Sequence, residues 1–215
     1  MTRVFLLSPA NCSGRRAAQL LSARASFDLA RRLQSPAGAP IGDVFAFVSG
    51  LYFRGKLTYA RRFAQAEERD DEELAGGVLV ITPGAGLRSA ETPVTAAAIE
   101  RFAATDIDVA NAGYRRPLET SAGRVAARIG DVGEVVLLGS IASPKYVDVL
   151  LDVFGERLVF PLAFVGRGDM SRGGLLLRHA AAGVELDYGR VAGAVRHGPR
   201  PPKLPPLSRR ASSQP

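Results

Sequence analysis

The chain has 215 residues, of which 47% are hydrophobic, and its formal net charge is +7. This length and composition fit one sizeable domain with a packed core. No apolar run reaches the roughly 18 residues of a membrane span, and the first apolar run is too short for a secretory signal. The single cysteine excludes an internal disulfide and a cysteine-rich metal site. We therefore expect a cytoplasmic protein with no membrane partner.

The hydrophobic pattern predicts strands that alternate with helices. Short, continuous apolar strands, each leading to a helix, are typical of a parallel sheet covered on both faces. The predicted fold class is therefore α/β, a small doubly wound, mainly parallel sheet of four to five strands with flanking helices. In chain order the predicted elements are strand 3–7, helix 14–33, helices 44–48 and 57–66 broken at Ser49 and Gly50, strand 78–81, helices 93–103 and 118–129, strand 134–138, helix 144–154, strand 158–160, helix 170–182 and an edge strand within 184–191.

The positive charge is concentrated at the C-terminal end. Six basic residues and no acidic residue follow Asp187, so the first 187 residues carry a net charge of about +1. Residues 193–215 are rich in proline and arginine, which predicts an extended, disordered tail after a single α/β domain over residues 1–192. A solvated arm, a nucleic-acid contact and a proline-motif ligand are all open for this tail.

Small and polar residues follow each predicted strand. Ser8 follows the first, residues 82–86 (TPGAG) follow the second, Gly139 and Ser140 follow the third, and residues 166–168 (GRG) come soon after the fourth. The carboxyl ends of parallel strands meet at one edge of a sheet, where open α/β sheets bind ligands. We therefore expect a crevice for an anionic or nucleotide-like ligand, although turn geometry alone also favours these residue types.

The candidate site residues lie on these loops or on the helices that follow them. No residue is identified as catalytic, and we expect no metal and no cofactor, since His179 and His197 have no companions. Arg15 and Arg172 are predicted to contact nucleic-acid phosphates. The predicted ligand-binding residues are Ser8, Asn11, Gly139, Ser140, Tyr146, Gly166, Arg167 and Gly168.

Two local features have alternative interpretations. The turn at residues 166–168 opens a helix and could present backbone N–H groups to a phosphate. Ser171 breaks the full dinucleotide-binding motif, so a helix cap without a ligand and a DNA-binding helical hairpin stay open. Cys12 lies close to Arg15 and Arg16, whose charges would lower its thiol pKa and allow a reactive thiol, but a passive small residue is the preferred interpretation.

Short segments across residues 3–180 resemble the YaaA-type peroxide-stress proteins. The resemblance lies in residues 4–10 (VFLLSPA), 51–57 (LYFRGKL) and 81–87 (ITPGAGL), and in residues 138–140 (LGS) with Lys145 and Tyr146. Smaller relatives of that family also share a glycine-rich turn like residues 166–168. Pro83 and Ala85 stand where the family has bulkier residues.

This resemblance implies an α/β core related to uracil-DNA-glycosylase-like folds, DNA binding and a role in oxidative stress, but no settled enzymatic activity. The resulting expectation is a nucleic-acid or nucleotide-binding protein in the stress response or DNA metabolism. An enzyme of nucleoside or nucleobase metabolism, acting by N-glycosidic hydrolysis or transfer in the same crevice, is the alternative, and a buried carboxylate such as Asp169 would support it. A third interpretation is an interaction protein that acts through its tail.

Overall fold

The computed structural model describes residues 2–65 and 74–205. The charged turn predicted at residues 67–73, the end of the predicted helix at residue 66, and residues 206–215 of the tail lie outside this part of the chain. The strands of the described part are β1 (Arg3–Leu7), β2 (Ala39–Pro40), β3 (Val78–Thr82), β4 (Gly86–Ser89), β5 (Pro93–Val94), β6 (Glu134–Leu138), β7 (Leu158–Pro161) and β8 (Tyr188–Arg190).

The main sheet has six strands in the order β4-β3-β1-β6-β7-β8. The four central strands are parallel, and β4 and β8 run antiparallel at the two edges. The predicted α/β class and the mainly parallel sheet are confirmed, with one strand more than expected. The helices are α1 (Arg15–Leu21), α2 (Asp28–Gln34), α3 (Ile41–Ser49), α4 (Leu51–Phe63), α5 (Ala96–Ala104), α6 (Ala112–Ile129), α7 (Pro144–Phe154) and α8 (Asp169–Ala182).

Successive side chains of a strand point to opposite faces of the sheet. Because those of β1 are apolar on both faces, helices cover both faces of the sheet. Phe5 and Leu7 of β1 belong to a core shared with α1 to α5 and α8. Val4 and Leu6 belong to a second core shared with α6 and α7. All four side chains are fully buried, so β1 lies at the centre of the molecule and its carboxyl end is surrounded by structure.

The additional strand arises from a hairpin that the sequence analysis interpreted as a ligand loop. The Thr82 hydroxyl donates to the Gly86 carbonyl (2.7 Å) and accepts from the Ala85 N–H (3.2 Å), and Gly84 and Gly86 have positive φ. The turn is thus closed by its own side chain and leads into β4. The helix predicted at 93–103 starts later, at Ala96, because β5 pairs with β2.

The predicted helix 14–33 is wrong in one respect, because it is two helices separated by residues 22–27. Ser22, directly after α1, has extended φ and ψ, and Phe27, directly before α2, stacks on Phe47 of α3 with ring centroids 5.2 Å apart. The predicted break at Gly50 is confirmed, since Gly50 has φ +69° between α3 and α4. α4 then begins at Leu51 rather than at residue 57.

Residues 193–205 contain no helix or strand, and they lie against the body of the protein. The Arg167 guanidinium donates to the Pro202 carbonyl (3.3 Å), Arg178 donates to the Pro205 carbonyl, and Leu204 packs against the core. This part of the predicted tail therefore covers α8 rather than extending away from it.

Helices α4 and α8 cross in close contact at two glycines. A Cβ atom at Gly55 would lie 2.7 Å from the Gly173 carbonyl oxygen, and one at Gly173 would lie 2.8 Å from the Leu51 carbonyl oxygen. Such distances leave no room for a methyl group, so both positions require glycine at this crossing. The contact sets how closely the side chains of α4 and α8 approach each other.

We predict that Gly173→Ala lowers the free energy of unfolding by about 1–3 kcal/mol, because the backbones must separate and this cost exceeds the gain in helix propensity. Gly174→Ala is the matched control, since its Cβ would meet only the tip of Leu204 at 3.5 Å. Urea unfolding measures both variants. Equal stability of the two variants would show that the helix crossing tolerates a methyl group.

Candidate functional site

The candidate site lies at the point where the order of the sheet reverses. From β1 the chain proceeds to β3 on one side, and from β6 it proceeds to β7 on the other, so β1 and β6 flank the topological switch point. Ser8 follows β1, and its N–H donates to the Leu138 carbonyl at the end of β6 (3.2 Å). Gly139 and Ser140 come next in the chain, so the loops after both strands meet here.

Four of the predicted residues lie together at this switch point. The Tyr146 hydroxyl of α7 accepts a hydrogen bond from the Ser140 N–H (3.0 Å) and donates to the Ser140 carbonyl (3.1 Å). A Cβ atom at Gly139 would lie 2.9 Å from both the Tyr146 hydroxyl and the Ser8 Cβ atom. Glycine at this position therefore allows Ser8 and Tyr146 to approach each other.

Lys56 of α4 joins this cluster and is 1% exposed. Its Nζ atom lies 2.7 Å from the Ser8 carbonyl oxygen and 2.9 Å from Ser8 Oγ. The amine also lies 4.7 Å and 4.5 Å from the ring centroids of Tyr52 and Phe53. Lys56 was not among the predicted site residues. A signal for it exists in the sequence, since the lysine lies within the apolar stripe of a helix. Lysine is almost never fully buried without a partner, so this position indicates a polar contact in the interior.

Burial has a direct consequence for the charge of Lys56. Loss of solvation lowers the pKa of the amine to about 7, although the Asp169 carboxylate raises it in part and the Arg172 guanidinium lowers it further. The Asp169 side chain is 69% exposed, so water screens its compensating charge. Near neutral pH both the charged and the neutral amine are therefore populated.

Arg172 lies on the buried side of α8 and not on the open surface that a phosphate contact requires. Its side chain is 12% exposed, and it donates to the Phe164 carbonyl from two nitrogens (3.2 and 3.1 Å). The buried Tyr52 hydroxyl has no hydrogen-bond partner among the described residues. Burial raises the pKa of Tyr52. The prediction of a phosphate contact at Arg172 therefore does not fit its position, because the side chain faces the interior.

An open groove of about 560 Å³ adjoins the switch point. Asn11 lies in it, with its Oδ1 atom accepting from the Ser13 N–H (2.9 Å) and hydroxyl (2.7 Å). Lys145, in the first turn of α7, and Asp106 are the charged residues in its lining. Its lining comes from the loop after β1, the turn after β3, the end of α5 with the residues after it, and the start of α7. The lining residues are Pro9, Ala10, Asn11, Cys12, Ser13, Pro83, Phe102, Ala103, Ala104, Thr105, Asp106, Ile107 and Lys145.

The predicted phosphate turn at residues 166–168 contacts the protein's own C-terminal segment. A Cβ atom at Gly166 would lie 2.1 Å from the Pro199 carbonyl oxygen, and the Arg167 N–H already donates to the Phe164 carbonyl. The Arg167 guanidinium donates to the carbonyls of Ala163 and Pro202 and to the Ser171 hydroxyl. Gly168 precedes α8 as its cap. The C-terminal segment therefore covers Gly166 and Arg167, whereas Gly168 stays exposed, and a ligand contact at Gly168 stays a prediction.

Of the two interpretations of Cys12, the passive small residue fits its position and the reactive thiol does not. The residue is 5% exposed, and burial raises the pKa of its thiol to about 12, so the uncharged form persists. Arg15 is exposed and forms no ion pair with a described residue, whereas the Arg16 guanidinium donates to the Phe47 carbonyl (3.5 Å). The arginines therefore do not offset the loss of solvation around the sulfur.

Comparisons with protein-family models, with curated proteins and with solved structures found no match. The resemblance to the YaaA-type proteins therefore stays a prediction. Across residues 2–65 and 74–205, no three or more His, Cys, Asp or Glu side chains are grouped so that they could hold a metal ion. In the same residues no helix combines the length and the apolar character that crossing a membrane requires.

We predict that Lys56 makes stability depend on pH. Between about pH 7 and 9 the unfolded chain binds a proton that the folded protein has released, so the free energy of unfolding rises with pH by up to about 1.4 kcal/mol per unit. The Lys56→Met variant lacks this contribution. The opposite contribution of Cys12 is common to both proteins, and it cancels when urea unfolding of the two is compared at pH 6.5, 7.5 and 8.5.

We expect the free energy of unfolding of the wild type, relative to that of Lys56→Met, to increase as the pH rises. A difference that stays constant across this range would mean that Lys56 keeps its proton in the folded protein.

Proposed function

We propose that this protein binds a nucleotide or a nucleic-acid segment at the carboxyl edge of its sheet. The observation that carries the proposal is the meeting of the loops after β1 and β3 with the first turn of α7 in one open groove beside the switch point. Open α/β sheets bind ligands at this position.

The charged and polar groups of the groove suit the parts of a nucleotide. Lys145 is exposed, forms no ion pair with a described residue and stands at the amino end of α7, where free N–H groups and the helix dipole favour a phosphate. The Asp106 carboxylate is an acceptor for a ribose hydroxyl. Asn11 and Ser13 offer amide and hydroxyl groups for the edge of a base.

The enzymatic alternative, an N-glycosidic hydrolase or transferase with a buried carboxylate at Asp169, gains no support from that residue, whose side chain is largely exposed. A cellular role in oxidative stress or DNA metabolism follows from the family resemblance alone.

The test measures binding of a panel of nucleobases, nucleoside mono- and diphosphates and short single-stranded DNAs. Binding is measured by thermal shift and by calorimetry. We expect binding by at least one phosphate-bearing member of the panel, and Lys145→Ala weakens it about tenfold, which corresponds to about 1.4 kcal/mol. For DNA the affinity falls steeply as salt rises.

Arg190→Ala is the control, because Arg190 is an exposed arginine paired with Val159 in the sheet and forms a surface ion pair with Glu156. Exposed pairs contribute little to stability, so this variant should bind like the wild type. Absence of any thermal shift across the panel, or equal loss of affinity in both variants, contradicts the proposal.

A further inference from the structure

The contact between Lys56 and Ser8 exceeds what a binding site requires. A surface amine is sufficient to bind an anion, whereas Lys56 is almost completely buried and directed at a serine hydroxyl. Its second contact, with the Ser8 carbonyl oxygen, fixes the amine relative to the residue that carries the hydroxyl. A neutral amine satisfies both contacts, because it donates one N–H to the carbonyl and accepts the hydroxyl proton with its lone pair.

We infer that Ser8 and Lys56 form a nucleophile and general-base pair that performs acyl transfer or hydrolysis on an ester or amide held in the adjoining groove. Pairs of serine and lysine perform this chemistry on several unrelated folds. The inference does not depend on the nucleotide proposal, since it specifies the reacting bond and not the rest of the ligand.

The surroundings keep the base available near neutral pH. On α4 the amine faces the rings of Tyr52 and Phe53, on the loop after β1 it faces Ser8, and on α8 the charges that act on it are those of Asp169 and Arg172. Loss of solvation dominates this set and lowers the pKa of Lys56 to about 7, close to the value that favours a general base.

Both residues are buried, and the nucleophile is the one next to the groove. Lys56 is 1% exposed, whereas Ser8 is 7% exposed, and the groove begins at the next residue, Pro9. The base therefore lies behind the nucleophile, shielded from water. The N–H groups of Ala10, Asn11 and Cys12 donate to no described residue, and the inference assigns the developing oxyanion to donors of this loop.

The reaction balances with these two residues and water. The Ser8 oxygen forms a bond to the acyl carbon while its proton moves to the Lys56 amine. The bond to the leaving group breaks, and the leaving group takes the proton from Lys56. Water then attacks the acyl-serine ester, its proton passes to Lys56, and that proton returns to the Ser8 oxygen as the acid departs.

The test uses the full-length protein and a fluorophosphonate probe, which phosphonylates activated serines and requires no nucleotide. Intact-protein mass spectrometry follows the modification, and peptide mapping locates it. We expect modification at Ser8, with a rate that rises between pH 6 and 8.5 as Lys56 loses its proton. Ser8→Ala should prevent the modification, and Lys56→Met should slow it by about 100-fold or more.

Arg190→Ala is again the control and should react like the wild type. Should Lys56→Met fail to fold, the pH dependence of the wild-type rate decides the test. A folded wild type that is not modified at Ser8 between pH 6 and 9, or a Ser8 rate that does not change with pH over this range, overturns the inference. Modification of Ser8 in a protein that binds no nucleotide would leave this inference standing and refute the proposed function alone.

Discussion

The burial of one lysine amine against the first strand of the sheet is the constraint on which the site depends. Lys56 reaches Ser8 only because α4 lies close over the end of β1, and Gly55 and Gly173 let α8 close over α4 without side chains between their backbones. Removing an ammonium group from water is costly, so the packing that excludes water also shifts the amine toward its neutral form. Packing and chemistry are thus consequences of the same helix contact.

The regular parts of this structure could be predicted from the sequence, because they follow from local pattern. The apolar runs of β1, β3, β6 and β7 identify buried parallel strands, and their shared direction brings Ser8, Gly139 and Ser140 to one edge. Tyr146 joins them because Pro144 starts α7 directly after the loop that follows β6. These placements need only strand direction and helix period, both of which the sequence carries.

The rest depends on side-chain contacts, most of them between distant residues. Lys56 is 48 residues from Ser8, and no local pattern shows that its amine lies on the Ser8 carbonyl. Thr82 and Gly86 form a hairpin rather than a ligand loop because the Thr82 side chain closes the turn. The turn at Gly166 meets Pro199, and Cys12 is buried despite its basic neighbours. Lys56 was not identified from the sequence; the other residues were identified, and their packing decided their use.

The most direct test is an NMR titration of the protein labelled at the lysine side chains. The chain has three lysines, of which Lys56 is buried and Lys145 and Lys203 are exposed. Because Lys56 is buried, we expect its signal to titrate near pH 7 in the folded protein. A Lys56 signal that shows no titration below about pH 10 in the folded protein would contradict this expectation.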